Sequence, residues 1–325
     1  MLHLPKYFML GALCWSAFVS GPALGQNQPS GKPLRFIVIT AAGGGADQTA
    51  RVIAERLGPK IGRTIIVENR PGAGGNIASQ YVAHAAPDGL TFLVTSNNHT
   101  INPVLYKNAG YDAHKDFVPV VQMARGPTVI AVHPSLPVQS MSDLVALSKS
   151  NKPLNYGSIG LGSAAHLVGE CLKSVAGAGL EHITYKGGAP AVADAVAGHI
   201  SLVMSSTAST SGFIRSGRLK PLAVSTAERW PSNPDVPTLA ELGWSECNSE
   251  AWIGLLAPRG TPPAIVESMN REIAAVLKVP ENSERIVGIG YLPGGAPAST
   301  FAEMLRKETA AVTKLIKDAG IQVGD

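Results

Sequence analysis

Cysteine is scarce in this chain, with three among 325 residues. So few cannot build the disulfide framework that substitutes for a large core in small secreted domains. Cys14 lies in the N-terminal segment, while Cys171 and Cys247 could either pair in an oxidising compartment or remain free buried thiols. The fold must therefore rest mainly on apolar burial, for which the chain is long enough, with room for two domains of ordinary size.

Concentrated charge is also lacking. The 27 Lys and Arg residues nearly balance the 23 Asp and Glu residues, and the basic residues form no run. Nucleic-acid-binding proteins usually carry a basic patch that neutralises phosphates. We therefore expect no nucleic-acid partner.

Catalytic and metal-binding motifs are absent from the sequence. No serine has glycine at both −2 and +2, which argues against the nucleophile elbow of α/β-hydrolases. The histidines form no His-x-His or His-Glu-x-x-His pair, and no P-loop occurs. Gly160-x-Gly162-x-x-Ala165 matches the dinucleotide fingerprint, but the next strand ends in Tyr185-Lys186, without the acidic residue that binds ribose. We expect no enzyme activity, cofactor or metal.

Long apolar runs are missing beyond the N-terminus. Lys6 is followed by an apolar stretch from Met9 to Val19 and by the small-x-small sequence Ala23-Leu24-Gly25. This pattern predicts a secretory signal peptide over residues 1–25, cleaved before Gln26, and a periplasmic mature protein. The alternative is an N-terminal membrane anchor, for which the apolar stretch is short, since spanning takes about 20 residues.

What the chain does contain is a repeated unit of apolar strand, glycine-rich turn and helix. Glycines follow predicted strands at Gly43–Gly45, Gly72–Gly75, Gly160–Gly162 and Gly187–Gly188. Strands alternating with helices indicate an α/β fold with mostly parallel sheets.

No linker separates two contiguous domains, so we expect domains built from discontinuous segments. The predicted division is domain 1 over residues 26–125 and 226–325, and domain 2 over residues 126–225. The strands at Thr128–Val132 and Leu222–Val224 would be the crossings.

The glycine-rich turns predict an anion site. In parallel sheets such turns lie at the carboxyl ends of strands, where ligands bind. The helix that follows presents unpaired N–H groups and the positive end of its dipole, and glycine allows an anion to approach closely. A single loop of this kind is more often just a tight turn, but four make an anion site the better interpretation.

Two side chains near these turns have alternative interpretations. His166, early in a helix, could donate to an anion or could be a satisfied core or capping histidine. Asp47 is predicted to cap the first helix, and it could also accept a hydrogen bond from a ligand or orient water.

Several stretches resemble the extracytoplasmic receptors of tripartite tricarboxylate transporters, also called Bug proteins. The resemblance spans most of the predicted mature chain. Its most distinctive stretches are Gly43-Gly44-Gly45-Ala46-Asp47, Val67-Glu68-Asn69-Arg70-Pro71-Gly72-Ala73-Gly74-Gly75, Ala86-Pro87-Asp88-Gly89, Tyr156-Gly157-Ser158, Gly160-x-Gly162-Ser163-x-x-His166, Tyr185-Lys186-Gly187 and Trp252-x-Gly254-Leu255.

The resemblance implies a periplasmic-binding-protein-like clamp, or Venus flytrap. It has two α/β domains, each with a mostly parallel sheet flanked by helices, joined by two crossover strands. A small mono- or dicarboxylate would bind between the domains, and the protein, expected to be a monomer, would deliver it to a transporter with one large and one small membrane subunit. The ligand-binding residues carried over, together with candidates from the loops, are Gly44, Gly45, Asp47, Asn97, His99, Ser158, Gly162, Ser163, His166, Gly188, Ser205 and Ser206.

One departure from the family pattern concerns the first glycine loop. The family usually has two prolines there, where this chain has Ala41-Ala42. The alternative functions are a ligand sensor for a membrane signalling partner and an exported enzyme acting on a carboxylate.

Overall fold

The fold was analysed in a computed structural model that describes residues 31–150, 153–185, 187–231 and 233–318. The predicted signal peptide and its cleavage site before Gln26 lie outside these residues. Within the described ranges no helix combines the length and the apolar composition needed to cross a membrane.

The first half of the fold is built from both ends of the described chain. Its elements are β1 (Leu34–Val38), α1 (Gly45–Ile61), β2 (Ile65–Asn69), a 3₁₀ helix (Ala73–Gly75), α2 (Asn76–Ala83), β3 (Thr91–Ser96), α3 (Asn98–Leu105) and the start of β4 (Phe117–Val132), followed much later by β9 (Glu250–Pro258), α8 (Pro263–Leu277), α9 (Pro280–Gly288), β10 (Leu292–Pro293) and α10 (Ala298–Asp318).

The second half of the fold is formed by the middle of the chain. Its elements are the end of β4, α4 (Met141–Ser150), β5 (Leu154–Ser158), α5 (Ala164–Ala176), β6 (Leu180–Thr184), α6 (Gly188–Ala197), β7 (Leu202–Ser206), α7 (Thr207–Arg215), β8 (Lys220–Val224) and a second 3₁₀ helix (Ser245–Cys247).

Strand β4 joins the two halves. From Phe117 to Pro127 it pairs antiparallel with β9, and from Thr128 to Val132 it pairs with β7 and β8. The strand predicted at Thr128–Val132 is therefore the second stretch of a strand of 16 residues. Within the described residues, all ten strands are connected through β4. The strands that hydrogen-bond to β4 change between Pro127 and Thr128.

The predicted parallel pairings occur in both halves. Strand β1 pairs in parallel with β2 and β3, and β5 pairs in parallel with β6 and β7. Antiparallel pairs lie between these groups, because β9 runs antiparallel to both β3 and β4. The α/β class is thus as predicted, with a more mixed strand arrangement at the centre.

The return from the second half to the first is made at β9. Leu222–Val224, predicted as a crossing, lies in β8, which pairs with the second-half stretch of β4, and Val224 also forms a bridge with Thr238. The segment that follows packs in the second half, where Leu239 and Cys247 are buried, and Cys247 forms a disulfide with Cys171 of α5. The chain re-enters the first half at Glu250, which pairs with Pro127.

Each half has its own apolar core. In the first, Phe36, Leu57 and Phe92 are fully buried between the sheet and helices α1 and α8. In the second, Ile130 and Leu172 occupy the corresponding position. Burying one such side chain stabilises the fold by about 1.5–3 kcal/mol, so the two cores hold the strand ends, and the loops that leave them, in fixed positions.

Candidate functional site

Helices begin at the carboxyl ends of the parallel strands in both halves. Their N-caps are Gly44 for α1, Ser163 for α5, Gly187 for α6 and Ser206 for α7. Only the start of α5 is capped by a side chain, since the Ser163 hydroxyl accepts from the N–H of His166, whereas the other three lack such a bond. The first-turn N–H groups of α1, α6 and α7 are thus the ones not already engaged by an N-cap side chain.

Asp47 organises the first glycine loop. Its carboxylate accepts from the N–H of Gly43 at 2.8 Å, from the amide of Asn69 at 2.9 Å and from Arg51. Burial works against its ionisation, but the hydrogen bonds from Arg51, Gly43 and Asn69 hold the pKa of Asp47 below its usual range. The carboxylate shapes the loop by bonding the Gly43 N–H, which precedes the helix.

Asn97 is buried at the start of α3, and its polar side-chain atoms are hydrogen-bonded to other residues of the protein. Its amide nitrogen donates to the Glu250 carbonyl at 3.0 Å and to the Glu308 carboxylate at 2.5 Å. Its amide oxygen accepts from the Trp252 N–H at 3.2 Å. These bonds tie α3 to β9 and α10.

His99 is buried in an aromatic cluster. Its ring stacks on Tyr111 and meets Phe117 edge to face, and Nε2 lies 2.9 Å from the Ala113 carbonyl oxygen. Burial lowers the pKa of His99 to about 4, so the ring is neutral at ordinary pH. Nδ1 has no hydrogen-bond partner among the described residues.

The Ser158–Ser163 loop is held by its own side chains. The Ser158 hydroxyl accepts from the Gly160 N–H and lies 2.6 Å from His182 Nε2. The Ser163 hydroxyl donates to the Gly160 carbonyl at 2.7 Å. The loop is therefore fixed before any ligand contacts it.

His166 closes the same loop from inside α5. Its Nδ1 accepts from the Gly162 N–H at 3.3 Å, which requires that nitrogen to be unprotonated. Burial lowers the pKa of His166, and its ring lies 4.5 Å from that of His182, whose pKa burial lowers to about 4. Of the two alternatives given for His166, this geometry matches a satisfied core or capping histidine better than a donor to an anion.

Gly188, Ser205 and Ser206 come together where α6 and α7 begin. Gly188 is the first residue of α6, and a Cβ placed on it would lie 2.9 Å from Ser205 Oγ. The Ser205 hydroxyl is buried and has no hydrogen-bond partner in the described part of the chain. The next residue, Ser206, lies 3.4 Å from Ser209 Oγ. A buried donor without a partner is costly, and a ligand would satisfy it.

Glycine-rich turns lie at two of the places where the two halves approach each other. A Cβ on Gly162 would lie 3.0 Å from Asn102 Oδ1, and Asn102 donates to the Gly74 carbonyl in another glycine loop. A Cβ on Gly45 would lie 2.8 Å from the Tyr291 hydroxyl, which also lies near the side chain of Ser206. The glycine-rich turns thus converge from both halves.

Asn102 and Tyr291 were missed by reasoning from the sequence. Neither follows directly on a strand and glycine turn, which was the pattern that selected the candidates. The one available signal for Tyr291 is its place as an aromatic residue in the segment Gly290-Tyr291-Leu292-Pro293-Gly294-Gly295.

Comparison with known proteins agrees with this architecture. The family model of the tripartite tricarboxylate transporter family receptor matches residues 49–321. Protein BugT of Bordetella pertussis is 30% identical over 318 residues, which cover 97% of each chain.

Two solved structures are similar along nearly their whole length. Rpa4515 of R. palustris, solved with adipate, is 36% identical, with a TM-score of 0.82, and the match covers 89% of this chain and 98% of that one. MatC from Rhodopseudomonas palustris, solved with bound malate, is 28% identical, with a TM-score of 0.79 and coverage of 87% and 98%.

The resemblance indicated by the glycine-rich motifs is thereby confirmed, and so is the fold of a periplasmic binding protein. Members of this family are periplasmic solute-binding receptors and not enzymes. The chain belongs to the tripartite tricarboxylate transporter family of receptors.

Proposed function

We propose that this receptor binds a small mono- or dicarboxylate between its two halves and delivers it to a membrane transporter of one large and one small subunit. The observation that carries the proposal is the buried hydroxyl of Ser205, which has no partner within the described residues and lies beside Gly188 at the start of α6. Helix N-termini favour anions because their N–H groups and dipoles point at the ligand.

The relatives support the choice of carboxylate. Rpa4515 was solved with adipate and MatC with malate, and both share the fold over nearly their whole length. Arg51, the arginine at the first glycine loop, is paired with Asp47, so backbone N–H groups and hydroxyls would be the main ligand donors. The proposed contacts remain Gly44, Gly45, Asp47, Asn97, His99, Ser158, Gly162, Ser163, His166, Gly188, Ser205 and Ser206.

The hydrogen bonds within the protein support two different roles for these residues. Asp47, Asn97, Ser158, Ser163 and His166 have polar atoms bonded within the protein, so their contribution would be to hold the loops in position. Direct contacts would then come mostly from the starts of α1, α6 and α7, with Ser205 and Ser206.

The division into two domains and the processing of the chain belong to the same proposal. We keep two discontinuous domains and a cleavable signal peptide over residues 1–25, for a protein that acts as a monomer. The second boundary moves from residue 226 to about residue 250, because Leu239 and Cys247 pack in the second half.

The test is isothermal calorimetry of the purified wild type with adipate and with malate. We expect binding of at least one, together with native mass spectrometry that identifies any carboxylate retained from the cell. Absence of heat with both, and of a retained carboxylate, would contradict the proposed function.

A matched pair of variants tests the position of the site. Ser163→Asp and Ser163→Asn both place good N-cap residues at the start of α5, so both should fold. Only the aspartate adds a negative charge beside the ligand, and like charges repel at short range. We expect carboxylate affinity to fall at least tenfold in Ser163→Asp and much less in Ser163→Asn. Equal affinity in the two variants would remove this loop from the site.

A further inference from the structure

Tyr291 spans the space between the two halves. Its hydroxyl lies against Gly45, the first residue of α1, where a Cβ would come within 2.8 Å of it. The same hydroxyl lies near the side chain of Ser206, the N-cap of α7. One phenolic oxygen thus stands between the N-terminal ends of a 17-residue helix in the first half and a 9-residue helix in the second.

The backbone around Tyr291 is held firmly in this place. The Thr207 hydroxyl donates to the Gly290 carbonyl, and Gly290 lies so close to α7 that a Cβ on it would be 2.2 Å from the Ala208 nitrogen. On the other side the Tyr291 ring packs on Gly126 of β4, where a Cβ would be 3.0 Å from Cδ1. The ring therefore has little freedom to leave, and the direction of its hydroxyl is set by the fold.

The surroundings of this hydroxyl indicate an anionic ligand. Two helix N-termini without side-chain caps direct positive dipole ends toward it. The buried Ser205 hydroxyl, which has no partner within the described chain, is adjacent to Ser206 and is directed at the start of α6. Such a donor needs an acceptor, and a carboxylate offers two oxygens.

We propose that Tyr291 is a ligand-binding residue of this receptor, and that its hydroxyl donates to a carboxylate oxygen of the ligand between the starts of α1 and α7. This inference rests on the proposed function and adds to it a contact that comes from the segment before β10. The hydrogen-bonding roles are consistent, since the Ser206 hydroxyl can donate to the tyrosine oxygen while the tyrosine proton goes to the ligand.

The chemistry of the phenol suits this role. Burial raises the pKa of Tyr291, so the hydroxyl keeps its proton at any ordinary pH and presents a donor rather than a negative charge. Tyr291 belongs to the first half, and the residue before it, Gly290, accepts a hydrogen bond from Thr207 of the second half. A contact between Tyr291 and a ligand would therefore also report that the two halves are in position.

The experiment uses Tyr291→Phe in the full mature protein, with adipate and malate as calorimetric probes. This change removes the hydroxyl and keeps the ring on Gly126. We expect the dissociation constant to rise about tenfold or more, the factor that one hydrogen bond to a charged group supplies. The melting temperature without ligand should change little, while the rise in melting temperature on adding the probe should shrink.

Tyr81→Phe is the matched control. The Tyr81 hydroxyl accepts from Arg35 at 2.6 Å in the first half, so this variant loses a hydrogen bond of comparable strength away from the helix starts. We expect its affinity to equal that of the wild type. Ser205→Ala provides a second variant, and it should also weaken the binding of the probe.

The outcomes separate the two proposals. If the wild type binds neither probe and retains no carboxylate, the proposed function fails and the role of Tyr291 fails with it. If the wild type binds a probe and Tyr291→Phe binds it equally well, only the role of Tyr291 is overturned.

Discussion

At the scale of single residues, the side chain of Glu308 connects α10 to α3 and to β9, which are far from it in the sequence. Its carboxylate accepts from Asn97, from Thr100 at 2.5 Å and from the indole N–H of Trp252 at 3.0 Å. Burial raises the pKa of Glu308 to about 7, although these three hydrogen bonds act to lower it. The start of α3, and with it Asn102 at the cleft, is thus fixed by a carboxyl group that changes charge near neutral pH.

This geometry predicts a pH-dependent contribution to stability. Between the unfolded pKa near 4.5 and the folded value near 7, the folded state holds a proton on Glu308 that the unfolded chain has lost. Stability from this group is therefore full below pH 4.5 and falls as pH rises to about 7, with a slope of at most about 1.4 kcal/mol per pH unit. In Glu308→Gln this fall should disappear.

The measurement is chemical denaturation of both proteins at several pH values from 4.5 to 8. His99 and His182 have lowered pKa values and act in the opposite direction, so the quantity to compare is the difference between variant and wild type at each pH. Glu303→Gln, on the exposed face of the same helix, is the control. A difference that does not vary with pH would contradict the assignment.

At the scale of elements, the disulfide joins the second 3₁₀ helix to α5. Cys171 and Cys247 are both buried and are 76 residues apart in sequence. Closing a loop of this length restricts the unfolded chain, and such bonds typically stabilise by about 2–4 kcal/mol. The sequence left pairing and free thiols open, because connectivity depends on tertiary proximity.

The double variant Cys171→Ala/Cys247→Ala tests that contribution. We expect it to unfold at lower denaturant, with a loss of about 2–4 kcal/mol. Wild-type protein measured under reducing conditions should match the variant, whereas the variant itself should not respond to reductant. Equal stability of the oxidised and reduced wild type would show that the bond adds nothing.

The local strand, turn and helix units could be predicted from the sequence, whereas the pairing of the central strands could not. An apolar run, a glycine turn and helical spacing lie close together in sequence, which is why β1 with α1 and β5 with α5 could be predicted. Strand β9 was not identified, because Gly254 weakens the strand pattern. The structure gives the reason for that glycine, since a Cβ there would lie 2.3 Å from the ring of Phe301 on α10.

The same distinction applies to the site. Gly45 and Ser206 were proposed from the resemblance to the receptor family, in which both lie on loops that follow strands, a signal contained in a few consecutive residues. The partner that connects them, Tyr291, is far from both in sequence, and only the packing of the segment before β10 onto β4 and α7 brings it there. The hydrogen bonds that Ser163 and His166 make within their own loop could likewise not be predicted, because the residue type does not specify the direction of the side chain.

At the scale of the whole molecule, the two halves contact each other near the helix starts and through an apolar cluster in which Leu167 of α5 packs with Ile101, Leu105 and Val312. Gly162 meets Asn102, and Tyr291 lies between Gly45 and Ser206. Since a ligand between the halves would bind both, we expect it to favour the closed arrangement.

Small-angle scattering with and without saturating adipate or malate measures this directly. The radius of gyration should fall on binding, and a hundredfold excess of ligand over its dissociation constant should add about 2.7 kcal/mol of stability. Ser163→Asp, whose affinity should be at least tenfold lower, serves as the control and should need a correspondingly higher ligand concentration for both changes. An unchanged radius with binding demonstrated by calorimetry would indicate a cleft formed in advance.

The position of β9 has a consequence for the order in which the protein can fold during synthesis. This strand lies between β3 and β4 in the first half, yet it begins only at Glu250. A nascent chain that has emerged as far as β8 therefore holds β3 and β4 without the strand that joins them, and α10 with Glu308 is later still. The complete sheet of the first half can therefore form only after most of the chain has been synthesised.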